Sequence, residues 1–415
     1  MGLFQNEFPR FPKNYPLPLS KIRVKPFDVE TTLAEVKLER KNRAKKYHGP
    51  DSPLYSAIYP SVCIMKVFGL APYDFTGDEM TPSNLCLVFS FAFMCIYCYI
   101  VYIVYLKFTS LKRQKQMLNV VETTKVIVNF LVAMYELVST VFTRRVFSRI
   151  WNALQDSDER MSQLGYPRKE TKTKIAMWTL LISQIIVWTV VNQSGMYALM
   201  EAWFFNVSYI CVYLGTAIPV YKFFGMTSFL GQRFHQLNQI ARENLPPRVG
   251  YKSSSVSKKT IQDLHDKLML SSEELASLYS WSLLFWLGNL SVHSVSNLYF
   301  IIDWLILMPW TNIAWLRVFN MWSWEVGFIS QLLVIYIACD YTITEANSMG
   351  AIFVEWDARV IQRFPYDDTV RTSLPFLNRR LSFSAGGLFN VHLPLLCSMV
   401  GVLSTYLVLL LQFPA

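Results

Sequence analysis

An acid stands beside a histidine in "DLHD", residues 263–266, and two cysteines stand three positions apart in "CIYC", residues 95–98. The first is the pairing a general base uses, because a carboxylate orients an imidazole and supports its charge. The second is half of a tetrahedral metal site. Neither motif extends further. The five histidines (His48, His235, His265, His293 and His392) are scattered, and no His-x-x-Glu-His, Gly-x-Ser-x-Gly or phosphate-loop pattern occurs. "CIYC" has no second ligand pair and sits in an apolar run, where small-residue packing is the expected role. "DLHD" reads as the solvated face of a helix. The sequence therefore predicts no catalytic residue, no metal ligand and no cofactor.

Polar residues inside long apolar runs are more informative, since hydrocarbon offers them no partner. Asn129 lies in one run, and Gln184, Trp188 and Asn192 in the next. Trp203, Asn206, Tyr209 and Tyr213 follow, then Trp322, Trp324, Glu325 and Gln331. Trp203, Trp322 and Trp324 suit an interfacial aromatic belt, and Asn206 and Gln331 suit interhelical hydrogen bonding. Glu136, deeper in its run, reads as structural. Glu325 stands about one turn into a helix that also carries Trp324 and Gln331. A ligand-lined cavity built from Gln184, Trp188, Tyr209, Tyr213, Trp324, Glu325 and Gln331 is one reading; plain packing is the other.

A second arrangement lies in "TYLVLLLQF", residues 405–413. On a helix, Thr405, Val408, Leu409 and Gln412 share one stripe, with Gly401 one turn earlier. An amide facing lipid is costly. It is satisfied if identical faces meet around an axis and line a water-filled path, with Leu409 or Val408 as an apolar collar that gates by dewetting. Tyr406 falls off this stripe and is expected to pack on the bundle with its hydroxyl bonded. A glutamine snorkelling at the interface is the alternative.

The elements that position these residues are membrane helices. Only 16% of the 415 residues are charged, against about a quarter in soluble domains. Apolar runs of about 18 residues or more ask for lipid. Spans are expected near 84–106, 124–142, 176–192, 203–224, 279–306, 321–339 and 391–413, giving an all-α integral membrane protein with seven transmembrane helices. A shorter run, "AIYPSVCIMKVFGL" at 57–70, carries Lys66 and reads as an interfacial helix. The net charge of +10 comes without a basic stripe interleaved with aromatics, so no nucleic-acid partner is expected. The opening residues lack a secretory signal, and Gly2 lacks the Ser or Thr at position six that myristoylation requires, Asn6 standing there. All seven cysteines but Cys63 fall in or beside spans, which implies no disulfide framework. Sequons at Asn206 and Asn289 fall within spans, and that at Asn192 lies at a span edge.

Orientation follows from Lys and Arg in the loops. Alternate segments hold twelve, eight, seven and five on one side, against four, none, one and none on the other. This bias of 32 to 5 places the N-terminus in the cytoplasm and the C-terminus outside. G-protein-coupled receptors have the reverse orientation and are excluded. The expected organisation is a cytoplasmic segment 1–83, a six-helix bundle 84–339, a cytoplasmic helical anchor 340–390 with a short helix at 351–364, and a final helix 391–413. "LPPRVGYKSSSVSKK" (245–259) reads as a disordered excursion, after which Leu264, Leu268, Leu275 and Leu278 share a helical face that extends the fifth span into the cytoplasm. No internal repeat supports a transporter built from inverted halves.

The ending "TYLVLLLQF" resembles the Thr-Tyr-(five apolar)-Gln-Phe signature of insect gustatory receptors. "FSAGGLFNVHLPLLCSMVG" (383–401) resembles the rest of that family's last helix, and "LHDKLMLSSEELASLY" (264–279) the approach to its fifth span. Length, seven spans and inverted topology agree across most of the chain, with specificity concentrated in the C-terminal thirty residues. The resemblance implies a ligand-gated, non-selective cation channel in the plasma membrane. It implies a homotetramer, or a heterotetramer with related subunits, assembled around the last helix and opened by a small-molecule tastant. It further implies that Gln412 with Leu409 or Val408 forms the narrowest part of the pore, and that 340–390 makes cytoplasmic subunit contacts. Leu407 stands where the sugar-receptor branch carries an acid, which points to the broader branches, bitter-type and fructose-type. The related odorant receptors share the architecture, and a transporter of a small polar solute contacted by Glu325 and Gln331 is the alternative of another class.

The charge bias makes a direct prediction. A tag after Ala415 is expected to label on intact cells, and a tag before Met1 only after permeabilisation. The reverse pattern would refute the orientation.

Overall fold

A computed structural model of the chain describes residues 47–110, 116–200, 202–246, 256–307, 315–361 and 374–412. The N-terminal residues 1–46, residues 247–255 of the expected excursion, Pro365 and Phe413 lie outside the described residues. A short helix α1 (Pro53–Val67) leads into a hairpin, β1 (Tyr73–Thr76) and β2 (Glu79–Pro82). Six long helices follow: α2 (Asn84–Ser110), α3 (Gln116–Gln163), α4 (Thr171–Leu199), α5 (Trp203–Glu243), α6 (Lys258–Leu307) and α7 (Trp315–Ile361). The chain continues through α8 (Leu374–Asn378) and a second hairpin, β3 (Ser384–Ala385) and β4 (Phe389–Asn390), to α9 (Leu393–Gln412). Both hairpins are antiparallel.

Capping chemistry explains where several helices begin and end. Ser52 accepts a hydrogen bond from the Tyr55 amide at 3.3 Å and Pro53 occupies the first helical position, so α1 starts at 53 rather than 57. Helix α3 closes at Gly165, whose φ of +93° suits glycine. The Tyr166 amide reaches back to Met161 O and that of Gly165 to Ser162 O, both at 3.0 Å. Much of what reads as inner loop is helix. Phe147, Ile150, Trp151, Leu154 and Met161 are buried at helical spacing, which carries α3 over 48 residues. Helix α7 likewise runs unbroken for 47 residues, so residues 351–361 of the separate helix expected at 351–364 are the end of α7, and 362–364 lie outside the described residues. Lys258 and Lys259, expected within the excursion, open α6, where Lys258 pairs with Asp357 of α7.

Helix α5 is the core element. Of its most apolar stretch 67% is buried, against 6% for α4, which faces outward along nearly its whole length. Among the described residues, five helices (α2, α3, α4, α5 and α7) are long and apolar enough to cross a membrane, with Leu393–Leu409 of α9 a shorter apolar helix. Helix α6 falls outside that group because of its side-chain chemistry. At 50 residues it is about 75 Å long at 1.5 Å per residue. Ser282, Asn289, His293 and Asn297 recur along it every four to seven positions, and all four are buried. The stripe meets the bundle, with Asn289 donating to Asn129 Oδ1 at 3.0 Å. Asn129 in turn donates to Val212 O of α5 at 2.7 Å and accepts from Thr216 at 3.0 Å.

At the charge-rich end the long helices are clamped by ions. The Arg233 guanidinium on α5 is fully buried and donates to Asp158 of α3 at 3.0 and 2.6 Å, and to Glu170 at 2.9 Å. Arg168 adds a 2.6 Å contact to Glu170 and bonds to Gln232. Two cations meet two carboxylates, so the cluster is neutral as a unit. Burial alone would raise the Glu170 carboxyl, but Arg233 and then Arg168 outweigh it and hold the group below its ordinary range. Its contribution to stability is therefore complete at neutral pH and is lost as pH falls through that depressed value.

Arg233→Ala leaves Asp158 and Glu170 buried without a counter-charge and is expected to cost about 3–5 kcal/mol, read as a fall in thermal stability of the purified protein. Glu273→Gln, which breaks an exposed pair with Arg379, is expected to cost about 1 kcal/mol or less. Equal effects would mean that the clamp contributes no more than a surface pair.

Candidate ligand site and terminal helix

Five helices bring side chains together toward the charge-poor end of the bundle. Trp324 of α7 is the hub. Its ring centroid lies 4.7 Å from Tyr213, 5.4 Å from Tyr209 and 5.5 Å from Trp188, the last two in edge contact. His293 of α6 stacks on Phe328 at 4.9 Å and meets Tyr213 at 5.2 Å. Edge and offset contacts of this kind bind more tightly than area alone implies. Trp324 is only 7% exposed, so it belongs to this cluster and not to the interfacial belt; Trp203 and Trp322 are exposed and fit the belt.

Polar groups back the rings. The Tyr209 hydroxyl donates to Glu122 of α3 at 3.1 Å and lies 3.1 Å from the Tyr213 hydroxyl. Lys125 donates to Glu122 and to Asn297 of α6, both at 2.9 Å. Glu325, 1% exposed, points its carboxylate at Ser294 and Asn297. Among the described residues, both ring nitrogens of His293 have no hydrogen-bond partner. Buried polar atoms left unpaired cost free energy unless water or a ligand meets them. Donors, acceptors and aromatic faces side by side suit a small molecule with both polar groups and an apolar face.

Of the residues singled out by sequence, Trp188, Tyr209, Tyr213, Trp324 and Glu325 converge. Gln331 does not; it lies further along α7 and its amide bonds to Gly327 O of its own helix at 3.3 Å. Gln184 and Trp188 line a separate apolar groove along α5. Asn206 clasps α4 to α5, donating to Asn192 O at 2.7 Å and to its Oδ1 at 2.8 Å. Sequence reasoning missed Glu122, Lys125, His293 and Phe328. The i, i+3, i+7 spacing of Glu122, Lys125 and Asn129 was the available signal for the first two. His265 of "DLHD" is not solvated: it is 3% exposed, contacts Ala346 O at 3.1 Å, and burial lowers its pKa.

The terminal helix is anchored at its base and bare beyond it. Gly386 and Gly387 turn the hairpin at φ of +59° and +75°. The Gly386 amide bonds to Ser280 O of α6 at 2.8 Å, and a Cβ there would meet Leu284 at 2.8 Å. Val391 and Phe383 are fully buried. Leu395, Leu396 and Met399 pack on the core, but Val400, Val402, Tyr406, Val408 and Leu409 are each about half exposed, and Thr405 and Gln412 are exposed too. Thr405 Oγ1 donates to Gly401 O at 3.0 Å. Tyr406, expected to pack on the bundle, is 61% exposed within the chain, because α9 has left the bundle by that point.

A family model described as "7tm Chemosensory receptor" matches residues 58–414. Among curated proteins, the chain is 30% identical over 158 residues to "Putative gustatory receptor 2a" of Drosophila melanogaster, a match covering 32% of this chain and 36% of that protein. It is 24% identical over 177 residues to "Gustatory receptor for sugar taste 43a" of the same species, covering 43% of this chain and 40% of that protein. These matches span well under half of either relative. Among solved structures, the olfactory receptor OR5 from Machilis hrabei superposes with a TM-score of 0.64 at 17% identity, over 86% of this chain and 98% of that one. Its complex with eugenol superposes with a TM-score of 0.65 at 16% identity over the same shares. At that identity the likeness establishes the seven-helix fold.

Glu325→Gln removes a charged acceptor and is expected to weaken binding of a polar small molecule by about 1.5–3 kcal/mol, roughly ten- to a hundredfold. Trp188→Ala is expected to shift the same dose dependence. The reading is ligand concentration against thermal stabilisation of the purified protein; unchanged dependence in both variants would move the site elsewhere.

Proposed function

The chain belongs to the 7tm chemosensory receptor family, and from that premise we propose that it is a gustatory-type receptor acting as a ligand-gated, non-selective cation channel. Four subunits, identical or related, surround an axis lined by α9. The N-terminus is cytoplasmic in this reading, which the charge bias supports, and the ligand is a small molecule taken up at the cluster around Trp324.

The observation that carries this reading is the bare half of α9. Val400, Val402, Val408 and Leu409 are about half exposed, with Thr405 and Gln412 also exposed. Lipid alone would suit the apolar residues but not the terminal amide. Around a fourfold axis, Gln412 side chains ring a hydrated constriction, and those of Leu409 or Val408 form an apolar collar about one turn away that opens by wetting. Ligand binding at the cluster favours the open arrangement only by its differential affinity for the two states. Two features favour the gustatory type: the ending "TYLVLLLQF" and the match to two gustatory receptors. A sugar-taste relative and a eugenol complex bracket the ligand chemistry as a compact molecule with hydroxyl groups and an apolar face.

The test is single cysteines placed along 401–412 in channels expressed in oocytes under voltage clamp, with a panel of tastants. Block by water-soluble thiol reagents is expected at Thr405, at Val408 or Leu409, and at Gln412, and to be weak at Tyr406 and Leu407. Leu409→Ser is expected to raise current without ligand, because water wets the collar. Uniform reactivity, or none at Gln412, would make α9 a packing element; saturable flux without unitary openings would make the protein a transporter.

A further inference from the structure

Helix α4 lies against α7 and α1 but is set apart from α2, and the gap exposes one face of α5. It forms a groove of about 530 Å³. Leu214 and Ile218 of α5, Leu181 and Ile185 of α4, and Val62 and Met65 of α1 line it, and no described α2 side chain does. The α5 lining runs from Val207 to Lys222 and beyond. That stretch rises about 22 Å, more than the roughly 15 Å of hydrocarbon in one leaflet.

The groove is open sideways. Ile185 lines it and is also 56% exposed, and the neighbouring Ile182 and Ile186 face outward, so the mouth is continuous with the surface α4 turns to the bilayer. Polar atoms in the lining are few. The Tyr221 hydroxyl is 3.5 Å from Ser330, Lys222 donates to Leu70 O at 2.9 Å and Asn192 accepts from Asn206 at 2.7 Å, while Ser61, Gln184 and Thr189 add a few more polar side chains to a mainly apolar wall. Water has too few partners to fill such a space, and an empty one forfeits the packing of every side chain around it.

We infer that the groove is a lipid site in which one acyl chain of a membrane phospholipid lies along α5 beside α4, its end toward α1. The occupant has to be elongated and apolar and has to arrive from the side. The bilayer supplies acyl chains at a local concentration that fills even a weak site. The inference rests on the membrane fold and not on the channel reading. It also places lipid against Trp188, whose ring reaches both the groove and Trp324.

The full-length protein is reconstituted in phosphatidylcholine nanodiscs with a minority of phosphatidylcholine bearing a diazirine midway along one acyl chain, irradiated, and mapped by peptide mass spectrometry. Label is expected on Leu214 and Ile218 as well as on the outward Ile182 and Ile186. In Ile185→Trp, which plugs the mouth from an exposed position, label on Leu214 and Ile218 should fall severalfold while label on Ile182 persists. No label on Leu214 or Ile218 in the wild type, or equal label there in the variant, would overturn the inference. So would loss of that label on adding a stoichiometric lipophilic small molecule in excess lipid, which would reassign the groove to such a ligand.

Discussion

Close approach to α5 sets the spacing of the bundle. Gly215 lies so near Tyr97 of α2 that a Cβ would meet its ring at 2.9 Å, and the Tyr97 hydroxyl donates to Val212 O at 2.8 Å. About two turns beyond the expected end of the span at 224, a Cβ on Gly231 would meet Thr342 Oγ1 at 2.7 Å, and that hydroxyl donates to Thr227 O at 2.8 Å. Small residues let helices meet backbone to side chain, and in a medium without water such contacts replace the hydrophobic effect as the source of cohesion. With α2 and α7 seated on α5, and Arg233 tying α3 to it, the rings of Tyr209 and Tyr213 are delivered to Trp324 by rigid elements.

The same scarcity of water explains the fifth span. Helix α6 carries Ser282, Asn289, His293 and Asn297 on one face, so it looks too polar to cross a membrane by composition. Turned inward, the stripe meets Asn129 and Lys125 of α3 and Glu325 of α7. Composition averages around the helix, whereas lipid samples only the outward face.

Apolar runs made the seven spans legible, and charge counting gave a definite orientation to test. The continuous helices at the charge-rich end were less legible, because a helix outside the bilayer needs only a buried stripe, such as Phe147, Ile150, Trp151 and Leu154, among abundant charges. The site was partly legible. Trp188, Tyr209, Tyr213, Trp324 and Glu325 advertise themselves as polar or aromatic letters in apolar runs. His293 and Phe328 do not, since their role comes from which neighbours face them. Gln331 stands apart from the cluster for the converse reason: its amide bonds on its own helix. Tyr406 misled because periodicity tells which way a side chain points on α9 but not where α9 parts from the bundle.

Helix α9 packs chiefly on α6 and α7, and these same two helices supply His293, Phe328 and Trp324 to the aromatic cluster. Helices α3, α4 and α5 supply the rest of the cluster yet reach α9 mainly through that pair. Sequence drift can therefore be divided unevenly. On the channel reading proposed above, substitutions on α4 or on the charge-poor turns of α5 would retune which compound is recognised while leaving the link to α9 alone. On the same reading, changes on α6 or α7 would touch recognition and transmission together. Such a division lets a lineage diversify its chemistry quickly on one side of the molecule while the other side stays under tight constraint.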